Sequence, residues 1–202
     1  MTASRPAPRI VSNAEQIKAL THPLRVRLID LFRGETQLTA TQCAEATGES
    51  VASCSFHLRQ LEKYGFLERG EPRGRERPWR APRGQEMTLL PEPGDREAMR
   101  ATQAAGQVYL DVSLERLRAW MARSIDDDPS WTFATAQQHS SFWATREELS
   151  ALADRIAELT APFTGRAGDP SLRPPDARLA RLLAVTWTEI PAPGPVDGDE
   201  EH

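Results

Sequence analysis

The sequence predicts a mainly helical α+β chain. Apolar residues recur at helical spacing between start and stop signals over most of the first 64 positions. Residues 66–83 instead have strand-like ends around a Gly- and Pro-containing turn. Residues 95–124 then carry one helical pattern without a break. Helices with one small hairpin, followed by a long helix and a second part, make the expected architecture.

Each element has a local reason. Residues 1–11, with Pro6, Pro8, Arg5 and Arg9, read as a disordered arm. Ser12 and Glu15 form a capping box that opens a short helix with Ile17 and Leu20 inward. Pro23 follows His22 at a favourable first helical position. Leu24, Leu28, Leu31 and Phe32 share one face of that second helix, which Gly34 ends. Thr39 and Gln42 make another capping box, and Gly48 closes the helix after about two turns. Ser50 caps the next helix, which runs to Tyr64 with Gly65 as its stop.

Phe66-Leu67 and Trp79 flank Gly70-Glu71-Pro72-Arg73-Gly74-Arg75, a two-stranded hairpin with an arginine-rich tip. Residues 84–94, with Pro91, Pro93 and Gly94, read as a linker. Asp126-Asp127-Asp128-Pro129 stops the long helix. Trp131–Ala136 and Leu179–Ile190 read as strands of a small α+β C-terminal domain. Between them a Thr145–Glu148 capping box opens a helix lined by Leu149, Leu152, Ile156, Leu159 and Phe163. The plan is an arm (1–11), a first domain (12–83), a linker (84–94), a long helix with a C-terminal domain (95–190) and a disordered acidic tail (191–202).

The 202 residues are 39% hydrophobic, enough for a core, and no run is long enough to span a membrane. The first ten residues lack the apolar stretch of a secretory signal. Two cysteines exclude a disulfide scaffold and a four-cysteine zinc site, so a reduced, cytoplasmic chain is expected. The net charge of −4 hides a split. Residues 1–83 hold 14 Lys and Arg against 9 Asp and Glu, net +5, and residues 84–202 hold 11 against 20, net −9. A basic front half points to a polyanionic partner there.

Residues 39–64 carry the strongest signal. Helix, tight turn, helix and hairpin is the order of a winged helix-turn-helix. On the second helix Val51, Cys54, Leu58 and Leu61 face the core. Opposite lie Ala52, Phe56, Arg59, Gln60 and Lys63, with Ser53 beside them and no carboxylate. Such a face suits the major groove: Arg59 and Lys63 meet phosphates, Ser53 and Gln60 read base edges, and Phe56 packs on a thymine methyl. Thr39, Thr41, Gln42, Ser50, Ser55 and His57 complete the candidate surface, His57 being either a phosphate contact or a packing residue. Arg73, Arg75 and Arg77 in the hairpin supply guanidiniums for flanking backbone or minor groove. Trp79 anchors the hairpin on the core.

The runs Ile17-Lys18-Ala19-Leu20-Thr21-His22-Pro23-Leu24-Arg25, Thr39–Gly48, Ser50–Leu61 and Gly65-Phe66-Leu67 resemble the ArsR-type winged helix-turn-helix regulators over residues 13–83. The resemblance implies a homodimer that binds double-stranded DNA and represses or otherwise regulates transcription, often under a small effector. The chain departs from the metal-sensing members. It has Ala40-Thr41-Gln42-Cys43-Ala44 where those carry a Cys-x-Cys pair, and its 95–124 helix holds neither His nor Cys. No metal and no cofactor is expected. Cys43 and Cys54 are either small core residues or a redox pair able to distort the second helix.

The long helix carries two stripes on opposite sides. Ala101, Ala105, Val108 and Val112, near the small Ala104 and Gly106, are assigned to a second subunit; Leu110, Leu114, Leu117 and Met121 form the other stripe. The alternative buries both within one chain. Trp120, Trp131 and Trp143 are candidates for an aromatic effector pocket, against a default of core packing. Nucleophile-elbow, P-loop, dinucleotide-glycine and zinc-protease patterns are absent, which argues against an enzyme. A winged-fold adaptor that binds protein rather than DNA is the competing class.

Overall fold

The computed structural model describes residues 9–33, 37–72, 74, 76–82, 87–166 and 169–189. The fold is α+β and mainly helical. In chain order it runs β1 (Arg9–Val11), α1 (Ala14–Lys18), α2 (Pro23–Leu31), α3 (Ala40–Thr47), α4 (Val51–Lys63), β2 (Glu68–Arg69), β3 (Trp79–Arg80), β4 (Met87–Leu89), α5 (Arg96–Arg123), α6 (Pro129–Phe133) and α7 (Arg146–Thr160).

Local signals set most of these ends. His22 caps α2 with Pro23 in its first turn. Thr39 and Gln42 close their capping box on α3, and Gly48 ends it in the left-handed region, φ 73°. Ser50 caps α4 by accepting from the Ser53 N–H at 3.1 Å. Thr145 and Glu148 cap α7 as expected. At α1 the cap is Asn13, not Ser12: its side chain accepts from Glu15 and Gln16 N–H groups. Helix α2 ends at Leu31, and Gly34, its expected stop, lies outside the described residues.

One core joins the elements from β1 to the first half of α5. Ile17, Leu28, Cys54, Leu58, Leu61 and Phe66 lie in it, together with Ala98, Ala101 and Ala105 of α5. Asp30 on α2 is buried and ion-paired to Arg116 of α5, and Arg181 approaches it at 3.5 Å. Arg27 and Glu115 add a second link between the same helices, at 2.6 Å. The wing pairs β2 with β3 in antiparallel register, and Leu38 bridges to Trp79 from the other side of β3.

Several further expectations fail. The arm's last residues, Arg9–Val11, pair in parallel with Met87–Leu89, so neither the disordered arm nor the linker holds there. Val11 is buried, and its carbonyl accepts from Leu90; an apolar strand end next to a core outweighs the Pro and Gly around it. Val51, expected inward, is 47% exposed because it stands in the first turn of α4, ahead of the packed stretch. Trp131–Ala136 is not a strand: Asp128 caps and Pro129 opens a short helix there, start signals stronger than the alternation. Residues 179–189, expected as a strand, form neither strand nor helix. Finally, Ala101, Ala105 and Val112, assigned to a second subunit, are buried inside the chain and Val108 is half-buried. Helix α5 packs on α1 and α2, and small side chains are what let it approach them closely.

Candidate nucleic-acid interface

Helix α4 owes its orientation to its inner face. Cys54, Leu58 and Leu61 are fully buried, at i, i+4 and i+7. That fixes the outer face: Ala52, Phe56, Arg59 and Lys63 are exposed, while Ser53, Ser55, His57 and Gln60 are half-buried on its flanks. Phe56, 51% exposed, stands at the centre. Thr41 and Gln42 on α3 and Ser50 at the turn are exposed as well, and Thr39 is half-buried. Three of these already serve the fold, since Thr39, Gln42 and Ser50 are capping residues.

Glu62 is the carboxylate of α4, and it turns away from the outer face toward the wing. It accepts from the Trp79 indole N–H at 3.1 Å and from Arg69 Nε at 3.0 Å. The Arg69 guanidinium lies 3.9 Å over the Trp79 ring, which is buried as expected. Arg80 pairs with Glu68. Two wing arginines are thus used internally, while Arg77 is exposed. Arg73 and Arg75 lie outside the described residues. Between them Gly74 has φ 65°, a conformation suited to glycine at a hairpin tip.

Sequence reasoning missed two contributors. Arg9 donates to the carbonyls of Gly65 and Tyr64, at the end of α4, and lies over the Phe66 ring. A cation there satisfies carbonyls the helix leaves open. Nothing in the Pro-rich start signals that role. The second is His22, whose ring centroid lies 4.3 Å from that of His57. Burial, then the Arg25 charge, holds the His22 pKa below its usual value; burial, then His22 and Arg25, does the same for His57. His57 is therefore packed against α2 rather than freely presented.

Burial pushes the Cys43 thiol up to about 12, with Cys54 adding to the effect. Both cysteines are free and buried, and Thr47 Oγ1 lies 3.6 Å from Cys54 Sγ. The Cys43 thiol therefore holds almost no thiolate at neutral pH, which favours the packing reading over the redox pair. The three candidate pocket tryptophans do not converge. Trp143 stands fully in solvent, Trp131 is covered by Arg178 at 4.5 Å, and Trp120 edges a shallow depression with Arg123, Ser124, Asp126 and Asp127. Among the described residues no His, Cys, Asp and Glu side chains group in a way that would hold a metal ion, and no helix is long and apolar enough to cross a membrane.

Residues 20–70 match the family model of a helix-turn-helix domain, which spans α2, α3, α4 and the first strand of the wing. The match supports a DNA-binding transcriptional regulator. No curated protein matches the chain. Among solved structures, wild-type MarR from E. coli in its apo form is similar at 14% identity, over 72% of this chain and 88% of that one, with a TM-score of 0.29. That likeness is too loose for an element-by-element correspondence.

Proposed function

We propose that the chain is a homodimeric, sequence-specific transcriptional regulator of ArsR type, acting on cytoplasmic DNA and repressing by occupancy. The single observation that carries the reading is the outer face of α4. Its centre is exposed and has an aromatic residue and two cations, and the one carboxylate of α4 turns toward the wing instead. Residues 50–64 enter the major groove, and the wing at 66–83 lies along the flanking backbone. Arg73, Arg75 and Arg77 neutralise phosphates there, and Thr39, Thr41, Gln42 and Ser50 border the groove. The first domain is 12–83. The part from 95 onward dimerises and offers a place for a small effector.

The dimer surface we propose differs from the stripe that the sequence suggested. Leu117, Trp120 and Met121 are exposed on α5, and none of the described residues from 113 to 189 is buried. So much exposed apolar surface marks an interface. The same observation favours a second reading, an adaptor whose partner is another protein. Selection of bound fragments from a genomic DNA pool at two salt concentrations separates the two. The regulator enriches discrete sequences and binds more weakly at the higher salt; the adaptor enriches none.

A further inference from the structure

We propose that His22 is a positioning residue for the recognition helix: as a neutral imidazole it caps α2 and stacks on His57, and its protonation releases α4 from the geometry that reads DNA. The inference deepens the DNA-reading role proposed above and rests on it. Its basis is a line of three rings. His22 Nδ1 accepts from the Leu24 N–H at 3.2 Å, in the first turn of α2. The His22 ring lies 4.3 Å from His57, tilted by 39°. His57 in turn meets Phe56 edge-on at 5.1 Å. The line runs from the start of α2 to the exposed centre of α4.

Protonation acts on this line twice. An imidazole nitrogen accepts a hydrogen bond only while it keeps its lone pair, so an imidazolium cannot cap α2. A proton also places a cation against a neighbouring ring that lies beside a fixed guanidinium, Arg25 on α2. Arg25 Nε and His57 Nδ1 are both buried without a hydrogen-bond partner, so the cluster is already poorly solvated before a proton arrives. Glu49, in the turn between α3 and α4, is the carboxylate that faces the pair and opposes the effect more weakly than burial and Arg25 promote it. Both rings titrate below their usual 6.5, so their contribution to folding is complete above that value and is lost as pH falls through the lower, folded-state value. Relief comes from separating the rings, which moves His57 and Phe56 with it.

A direct phosphate contact by His57 predicts the opposite sign, because a phosphate holds the imidazolium and affinity rises with acid. The test uses the full chain and a duplex that it recovers from a random-sequence pool at about pH 7.5, with anisotropy read at constant ionic strength down to about pH 5.5. The expected result is an affinity about tenfold lower at the acidic end, with helix content by circular dichroism unchanged. His22→Asn keeps a capping oxygen that does not titrate in this range but loses the ring. It binds more weakly than the wild type at the upper pH and changes by less than about threefold across the range. Affinity that rises or stays flat, or a His22→Asn profile parallel to the wild type, overturns the proposal. A second arm needs no DNA: backbone amide resonances of residues 55–59 in the free chain should titrate with the His22 midpoint, below 6.5. Resonances that ignore that midpoint overturn the proposal even where DNA is bound. If no duplex is recovered at any pH, the regulator reading is what has failed, and the resonances alone decide the histidine pair.

Discussion

Arg59 and Gln60 are neighbours on α4 that stand differently to solvent. Arg59 is exposed and makes no ion pair among the described residues, whereas Gln60 is half-buried at the edge of the outer face. A guanidinium that meets phosphate raises affinity for every sequence, while an amide that meets a base edge adds preference. Arg59→Ala should therefore weaken binding to all duplexes alike and flatten the dependence of log affinity on log salt by about one unit. Gln60→Ala should leave that slope unchanged and relax one base pair by about 1–3 kcal/mol. Salt titrations against single-base variants of a selected duplex measure both; equal slopes for wild type and Arg59→Ala would remove that phosphate contact. Leu58, on the opposite face of α4, is fully buried, so Leu58→Ala should cost about 2–5 kcal/mol in urea unfolding. The cysteines belong to this scale too. With the Cys43 thiol pushed up to about 12, the native chain should resist a maleimide at neutral pH and react on unfolding; fast native labelling would revive the redox reading.

At the scale of elements, signals confined to a few neighbouring residues were legible in the sequence. Thr39 with Gln42, Ser50 alone and Thr145 with Glu148 all cap the helices expected of them, because a cap is decided within one turn. Gly48 shows the same at a helix end. Its φ of 73° costs a side chain strain although nothing crowds the site, so Gly48→Ala should lose about 1 kcal/mol by thermal unfolding. Pairings between distant segments were not legible. Arg9 meets Met87, and the Pro-rich arm gives no hint of it, since a strand's partner is chosen by the core both strands flank. The wing tether lay between these cases. A buried Trp79 needs an acceptor for its indole N–H, and Glu62 supplies it while also holding Arg69. Glu62→Ala should loosen the wing from α4 and cost about 1–2 kcal/mol. Raised hydrogen exchange confined to β2 and β3 would show the loosening, and unchanged exchange would sink it.

The whole molecule is two unlike halves. From Val11 to Ala105 side chains share a buried interior, Val112 is the last buried residue, and beyond it none of the described residues is buried. One ion pair reaches from the second half back to the first, Arg181 approaching Asp30 at 3.5 Å, whereas Arg178 meets Asp127 at 2.8 Å within the second half. Neither tie covers apolar surface, and Phe133, Phe142, Leu159 and Trp187 remain exposed in the single chain. Sequence periodicity found both stripes of α5 but could not say which one the chain itself consumes, since each fits a helix face equally well. The structure buries the small-residue stripe and leaves Leu117 and Met121 outside. A dimer that closes on the outer stripe has a specific signature. Leu117→Glu with Met121→Glu should turn a dimer into a monomer in sedimentation, while the unfolding midpoint of the helix-turn-helix core moves little, because both residues are exposed in the single chain. Affinity for a two-half-site duplex should fall with it, and affinity for a single half-site should not. Ala105→Glu, on the buried stripe, should instead unfold the chain. A double variant that remains dimeric would place the subunit contact elsewhere and leave the outer stripe of α5 to a different partner.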